Sequence, residues 1–484
     1  MVSIDRARQL VTLLEAELMN RSGEADRLNA YYRGEHQLRF ASPEFREYFG
    51  QRYRGFSDNW TQVVADSPVE RLTPIGIKAA GQDRADQDLW RVWQVNGLDA
   101  DCQLGFLGAG IARRCYVLVW GDPDDESTPE VTFEDARECV VANEPGSRRK
   151  RRAGLKRWQD GTSEYATLYL PTEVWKFRRP LLRQAKSMNL AGVDELLEWE
   201  PRDMGSAEPN PQPNPMGVVP LVELPNRPML ADDPLSDVSG TVAMQDAINL
   251  LWAHLFTASD YASLAQRVIL GAEMPVTPIL DDKGQVVGER PVDLSRFTKD
   301  RVMWVEDEHA KIAEWSAADL SAFTGVIEVA VGHIAAQTRT PQHYLIGRMA
   351  NLSGDTLIAA ETGLVKRTQE KQMWFGQALR EVFRLIALAQ GDEPKARSLA
   401  AGKVLWADAE SRSHAQLADA LMKLHSMGFP FEWIAARYGL TPTEIADVLV
   451  MKEREAAMDP VGALADHLER SAPPEPAEPV EDGE

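Results

Sequence analysis

Few stretches of the sequence combine residue types at spacings that could support chemistry. The glycine-rich GFLGAG at 105–110 lacks the GxGxxG spacing and precedes a strand-like run, which favours tight turns over a nucleotide site. The acidic GDPDDE at 121–126 lacks the ligand order of an EF-hand, so a solvated hairpin tip explains it better than a Ca²⁺ site. His333 and His343 are separated by a helix stop and lack a third ligand, which favours polar packing. The sequence therefore predicts no metal site and no cofactor.

The strong catalytic motifs are missing from the sequence. It contains no GxxxxGK[ST] phosphate loop, no HExxH and no GxSxG. We therefore expect a protein that is not an enzyme.

Two stretches could contact nucleic acid. The basic run RRKRR at 148–152 follows a Pro-Gly turn between strand-like segments, which favours a solvated hairpin. Residues 431–449 resemble a helix-turn-helix pair around Gly439, but the second helix carries Glu444 and Asp447 and no Arg or Lys. A plain helical pair is the simpler interpretation, and a DNA-binding regulator that uses 431–449 stays open as the alternative function. The formal net charge of −21 opposes a general basic grip on DNA.

Composition indicates a large protein of several structural regions. Hydrophobic residues make up 44% and charged residues 26%, and no apolar run reaches the roughly 18 residues of a membrane span. The first residues lack a signal-peptide pattern, so we expect no membrane or secretory role. Cys102, Cys115 and Cys139 show no paired spacing, which predicts buried reduced thiols.

The periodicity of the N-terminal half predicts helices followed by a β region. Apolar spacing over 3–33 predicts two helices, interrupted at 21–23 and ending at Gly34. A short helix is predicted at 59–72 and another at 85–97. Between 73 and 228, short runs rich in Val, Tyr and Trp alternate with turn clusters, which is typical of antiparallel hairpins. The Pro-rich piece at 208–217 is predicted as a loop.

Three long helices dominate the second half. The first is predicted at 237–269 and the second at 317–338, which is capped by Ser316 with Asp319 and stopped by Thr340-Pro341. A strand-like insertion with a hairpin turn at 282–284 separates them. The third helix is predicted at 354–389, with Ser353 as its cap. Its middle, KRTQEKQ at 366–372, is polar on every side, which is typical of a helix that lies against another subunit.

Motifs in a fixed order carry a resemblance to a known family. They are YYRGEHQLRF (31–40), NWTQVVADSPVERL (59–72) followed by Gly76, YVLVWGDPDD with TPEVTFEDARECVV, the Arg-rich strand pair at 148–158, VVPLVELPNRP (218–228), MQDAINLLW (244–252) and TPQHYLIGRMANLSGDTLIAAETGLVKRTQEKQMWFGQAL. With these residues the chain resembles the portal proteins of tailed bacteriophages of the siphovirus type, as found in phages that infect actinobacteria. The resemblance spans about residues 25 to 390.

The resemblance implies an α+β portal fold in a ring oligomer, with long stem and wing helices, a β-rich wing and clip, and a helical crown. Its regions would be a wing at 1–235, stem helices at 236–271 and 316–340 around a clip at 272–315, a tunnel loop at 341–356, a long wing helix at 357–392, a crown at 393–462 and a disordered acidic tail at 463–484.

The same resemblance implies a function and two sites. A ring of twelve copies would sit at one capsid vertex of the virion, after assembly in the host cytoplasm, and pass double-stranded DNA during packaging and ejection. Its partners would be the terminase large subunit, the major capsid protein with scaffold, and the head-tail connector protein. The tunnel loop around the DNA would be Ile346, Gly347, Arg348, Met349, Ala350, Asn351, Leu352, Ser353 and Gly354. The clip contact with terminase or connector would be Asp281, Asp282, Lys283, Gly284, Glu289 and Arg290.

Overall fold

One continuous helix opens the chain. Helix α1 runs over Ile4–Arg33, begins where the Ser3 side chain accepts a hydrogen bond from the Arg6 amide, and ends at Gly34 with φ +72°. The predicted break at 21–23 is therefore wrong. Ion pairs between residues three or four apart hold both sides of Gly23, and their contribution offsets the cost of about 1 kcal/mol for a mid-helix glycine.

The computed structural model describes most of the chain in separate ranges. They are 2–38, 41–43, 45–47, 56–82, 84–181, 198–205, 209–263, 267–271, 276–280, 285–291, 302–305, 307, 309, 320–347, 354–410 and 414–458. The acidic tail predicted at 463–484 lies outside them.

Three further helices and a strand follow in the N-terminal half. They are α2 (Trp60–Val69), β1 (Pro74–Lys78), α3 (Gln87–Val95) and α4 (Leu98–Ala112). The glycine-rich 105–110 lies inside α4, so the tight turns predicted there are wrong. The Phe133 ring occupies the space that a β-carbon at Gly105 would need, so this glycine permits close packing of helix and strand.

The described strands between residues 114 and 225 form two antiparallel sheets, as predicted. One has the order β10-β2-β3, and the other has the order β4-β5-β6-β7-β8 with β9 also paired to β7. The strands are β2 (Arg114–Trp120), β3 (Glu130–Glu134), β4 (Cys139–Asn143), β5 (Arg151–Gln159), β6 (Ser163–Tyr169), β7 (Glu173–Pro180), β8 (Glu200–Pro201), β9 (Gln212–Pro213) and β10 (Leu221–Pro225). Strand β9 lies in the Pro-rich piece predicted as a loop. It makes a two-residue edge pair, where a missing proline N–H is tolerated.

The first long helix is shorter than predicted. Helix α5 spans Val242–Ser263, and the β-branched run at 267–270 leaves the helix to form strand β11 (Arg267–Leu270). This strand pairs in parallel with β14 (Val302–Val305). Between them, β12 (Val276–Leu280) and β13 (Val286–Pro291) form the predicted antiparallel hairpin. The turn residues 282–284 lie outside the described part of the chain.

The second and third long helices meet near a short connecting helix. Helix α6 spans Ser321–Thr338, α7 spans Gln342–Ile346 and α8 spans Gly354–Ala389, which is the span predicted for the third helix. Helix α6 ends at Thr338 with Arg339 as its C-cap, just before the predicted stop at Thr340-Pro341. Its predicted cap at 316 and 319, and the cap predicted at Ser353, lie outside the described residues.

The last part of the described chain returns to the main core. Helix α9 (Glu393–Leu399) leads to β15 (Lys403–Trp406), which pairs antiparallel with β1. Both pack on the cluster built around α8, α3, α4 and β2. Helices α10 (His414–Ser426), α11 (Phe431–Tyr438) and α12 (Pro442–Met458) follow. Where a crown begins, and the other region boundaries, stay predictions.

Candidate DNA-channel loop and its supports

The structure describes the residues that flank the predicted tunnel loop on both sides. Ile346 ends α7, Gly347 adopts φ +66°, and Gly354 begins α8. A left-handed φ suits glycine, which explains its position at the helix end. The remaining predicted loop residues, Arg348, Met349, Ala350, Asn351, Leu352 and Ser353, lie outside the described part, so their DNA contact stays a prediction.

A polar clamp ties the two helices that flank the loop. Glu361, seven residues into α8, accepts a hydrogen bond from Arg71 Nη2 at 3.1 Å, and the Tyr344 hydroxyl of α7 lies 3.4 Å from its other carboxylate oxygen. Arg71 also donates to the Tyr344 hydroxyl at 2.8 Å and to the Ala409 carbonyl at 3.1 Å. Burial opposes the charge on Arg71, but its bonds to Glu361 and Tyr344 raise its pKa. The clamp therefore fixes the spacing of the two loop ends.

The backbones of α6 and α8 approach closely beside this clamp. Arg339 has φ +55°, and its Cβ would lie 3.3 Å from a β-carbon at Gly363. Arg367 donates to the Thr338 carbonyl at 3.1 Å and to the Val64 carbonyl at 3.2 Å. Because the last carbonyls of a helix lack intrahelical partners, the Arg367 guanidinium caps α6 from the neighbouring helix.

A buried charge cluster lies one turn further along α8. The Lys371 ammonium donates to Asp237 Oδ2 at 2.5 Å and also to the Asn226 side-chain carbonyl. Arg367 Nη2 stands 3.0 Å from Asp237 Oδ1 as an ion pair without hydrogen-bond alignment. The side chains of Asp237 and Lys371 are 0% and 1% exposed. The cluster joins α8 to the segment that enters α5.

Electrostatics keeps the carboxylate of Asp237 ionised. Burial alone would raise the pKa of Asp237, but the adjacent Lys371 and Arg367 charges lower it to about 2. Two cations around one buried carboxylate therefore hold it charged over the whole physiological range.

One face of the polar middle of α8 is buried within its own chain. Thr368 is 0% and Arg367 5% exposed, and Lys371 points into the cluster just described. Asp237 and Asn226 of the same chain supply the partners of Lys371. Lys366 and Gln369 are exposed, so contact of this stretch with another subunit stays a prediction. A sequence signal existed, since Thr368 and Lys371 continue the spacing of Leu364 and Phe375 on the buried face.

An apolar cluster supports the loop region from the other side. It joins four helices, α2, α5, α6 and α7. Its buried members are Val64, Ile248, Ile327, Ala330, Val331, Ile334, Ala335 and Leu345. The loop thus starts from a packed platform, which the sequence patterns of the separate helices did not predict.

The predicted clip residues are described only in part. Glu289 and Arg290 lie in β13, paired in register with Pro278 and Thr277 of β12. The remaining members, Asp281, Asp282, Lys283 and Gly284, lie outside the described residues. Contact of this hairpin with another protein stays a prediction.

The two stretches with a possible nucleic-acid role show other partners. Arg148 donates to the Leu230 carbonyl, and Arg151 pairs with Glu381 at 2.7 Å. Helices α11 and α12 do form a helical pair, with Gly439 at φ +110° between them. Their contacts include Lys452 over the Phe431 ring at 3.7 Å. The basic run therefore lies in the β4–β5 hairpin, as expected, and spans the end of its turn and the first two residues of β5.

Neither a metal cluster nor a membrane helix occurs in the described ranges. No group of three or more His, Cys, Asp or Glu is placed there to hold a metal ion. No helix within these ranges combines the length and apolar character that a membrane crossing requires. Cys102, Cys115 and Cys139 are free and buried, as predicted.

Comparison with known proteins defines the class of this chain. The family model described as "Phage portal protein, SPP1 Gp6-like" matches residues 13–437. The chain therefore belongs to the phage portal protein family, a structural family of the virion.

Individual relatives agree with this assignment. The chain is 26% identical over 449 residues to the portal protein of Mycobacterium phage L5, covering 87% of this chain and 86% of the relative. It is 27% identical over 416 residues to the portal protein of Mycobacterium phage D29, covering 82% and 79%. Its function is that of a phage portal protein.

A solved structure is similar at a lower level. It is titled "Neck of empty GTA particle computed with C6 symmetry" and matches with 11% identity and a TM-score of 0.38, over 83% of this chain and 95% of that chain. A score this low supports no inference about this chain.

Proposed function

We propose that twelve copies of this chain form a ring at one capsid vertex, and that the loop at 347–354 surrounds DNA in the central channel. The observation that carries this proposal is the rigid mounting of that loop. Its ends leave helices that are tied together by Glu361, Tyr344 and Arg71. A loop that must meet moving DNA needs such a fixed base.

Self-association is supported by an exposed apolar face on α6. Ala322, Val326, Val329 and His333 follow each other at helical spacing and are all exposed, with Val326 at 54% and Val329 at 59%. Glu328 is the only Asp, Glu, Lys or Arg on the helix. Such a face without cations suits an adjacent copy better than DNA phosphate.

The overall charge suits a conduit that does not retain its cargo. Twelve copies of a chain with net charge −21 carry about −250, which disfavours adsorption of DNA to the ring. Arg348 would be the local exception, as the one fixed charge among residues 346–354. Contact by a single arginine per copy would be weak and sensitive to salt.

The remaining partners follow from the portal role. The β12–β13 hairpin, with the turn at 281–284 and Glu289 and Arg290 on β13, would contact the terminase large subunit during packaging and the head-tail connector afterwards. The major capsid protein and scaffold would meet the ring at its outer rim. The chain itself would hydrolyse nothing, and the terminase would supply the energy.

A substitution in the loop tests the conduit. Phage carrying Arg348→Ala should form rings and heads but show altered packaged DNA length or reduced DNA retention, while Arg348→Lys, which keeps the charge, should resemble the wild type. Pulsed-field gels of packaged DNA and quantification of released DNA give the readout. Wild-type length and retention in Arg348→Ala would refute the role of the loop.

A further inference from the structure

A cleft lies between α8 and β15, away from the loop and its supports. It encloses about 460 Å³. Its lining includes two cationic side chains, Arg380 and Lys403, and no carboxylate side chain. In a chain with 74 acidic and 53 basic residues, a lining with two cations and no acid departs from the overall balance. The cleft therefore favours an anionic occupant.

The cations at this cleft have no ion-pair partners among the described residues. Among the described residues, neither Arg380 nor Lys403 has a carboxylate oxygen within 4.0 Å of its charged group. Lys78 on β1 also lacks such a carboxylate among these residues. Lys78 stands directly opposite Lys403 in the β1–β15 register. Like charges directly opposite each other on a strand pair destabilise it, so a bound anion would relieve the repulsion.

An indole and a thioether supply an apolar floor. Trp406 packs against α8 at Gly376, where a β-carbon would lie 3.2 Å from the indole nitrogen. Within the described ranges, the indole N–H has no hydrogen-bond acceptor. Met373 beside it is 58% exposed. An aromatic floor with free donors and cationic edges fits an extended acidic peptide that contains proline.

We propose that this cleft binds the segment 471–484, SAPPEPAEPVEDGE, in addition to the portal role and independently of it. The segment holds five acids, four prolines and no base. A polyproline II helix has about three residues per turn, so Glu475, Glu478 and Glu481 would share one edge. Pro473, Pro476 and Pro479 would then share another edge, which would lie on Trp406.

The chain is long enough to reach the cleft. Helix α12 begins against β1, where Pro442 Cγ would lie 3.0 Å from a β-carbon at Gly76. Its 17 residues rise about 25 Å. Residues 459–470 can extend over about 40 Å, which exceeds that rise and allows the segment to return to the β1–β15 pair.

A peptide fits these observations better than DNA. Specific DNA binding needs several phosphate contacts, whereas Arg380, Lys403 and Lys78 are three cations around a narrow cleft on a strongly acidic protein. An apolar floor contributes little to phosphate binding but suits the rings of a proline-rich segment.

Disulfide trapping in the full chain tests the proposal. The double variant Gln377→Cys with Glu478→Cys is oxidised mildly, and the linked peptides are quantified by mass spectrometry. A second variant places the first cysteine at Met422, which is 69% exposed and is not part of the cleft lining. We expect the link at 377 to exceed the link at 422 about ten-fold, and to fall about ten-fold in an Arg380→Glu, Lys403→Glu background.

Charge reversal on the segment completes the test. Glu475→Lys with Glu481→Lys should restore the link in the reversed cleft, which a loss of folding could not do. The proposal is supported whether the disulfide joins the segment to the cleft of its own chain or to the cleft of a second copy. Equal yields at 377 and 422, insensitivity to the cleft charges, or displacement of the segment by stoichiometric duplex DNA would overturn it.

Discussion

Asp237→Asn should destabilise the protein strongly through the charge cluster beneath the loop platform. The substitution removes the carboxylate that pairs with Lys371 at 2.5 Å and with Arg367 at 3.0 Å, and both cations remain buried. Breaking a buried pair from one side costs about 3–5 kcal/mol, because the remaining charge is left uncompensated. We therefore expect a loss of about that size in the free energy of unfolding, measured by urea denaturation at pH 7.

Two further variants separate this effect from a general loss of packing. Asp237→Asn with Lys371→Met should recover a large part of the loss, since removal of both charges avoids the desolvation penalty. Lys423→Met breaks the exposed pair with Asp419 and should change stability by no more than about 0.5 kcal/mol. A loss below about 1 kcal/mol for Asp237→Asn, or no recovery in the double variant, would refute the reasoning.

Three other predictions follow from the same contacts. Glu361→Gln should loosen the clamp and speed trypsin cleavage in the loop about ten-fold. Glu370→Gln, which removes only the partly exposed 4.0 Å pair with Arg227, should leave the cleavage rate unchanged. Because the pKa of Asp237 is lowered to about 2, the ionised carboxylate stabilises the fold fully above about pH 4, and this stabilisation is lost as the pH falls through 2. Between about pH 4 and pH 2, the urea midpoint of the unaltered protein should therefore drop more steeply than that of Asp237→Asn. Gly105→Ala should cost about 1–3 kcal/mol through contact with the Phe133 ring, whereas Gly108→Ala, with open space, should stabilise α4 by up to about 1 kcal/mol in thermal melts.

Local patterns in the sequence predicted the helices and hairpins that depend on interactions between residues close together in the chain. The third helix was placed at 354–389 because its apolar spacing is long, and the structure confirms those ends. The antiparallel hairpins were predicted from alternation and turn residues, and they are confirmed as well. These signals depend on neighbours within a few residues, so a single sequence contains them.

The sequence patterns failed where the structure depends on contacts between residues that are far apart in the chain. Gly105 within α4 is explained by the Phe133 ring, which lies 28 positions away in the chain. The burial of Lys371 has no signal in its near neighbours' polarity, because its partner Asp237 is 134 residues distant. The clamp between Arg71 and Glu361 has no signal in the sequence, since 290 positions separate the two residues. The order of motifs, rather than any local pattern, predicted the portal class.

The central claim is that this chain assembles into a portal ring, and the mass of the purified assembly tests it most directly. Mass photometry with electron microscopy should show rings with a central hole and a mass near twelve copies of 53.9 kDa, about 650 kDa. Val329→Glu on the α6 face should disrupt them, and Leu104→Glu, at a similarly exposed site on α4, should not. A stable monomer or dimer of the unaltered chain at every salt concentration would contradict the account.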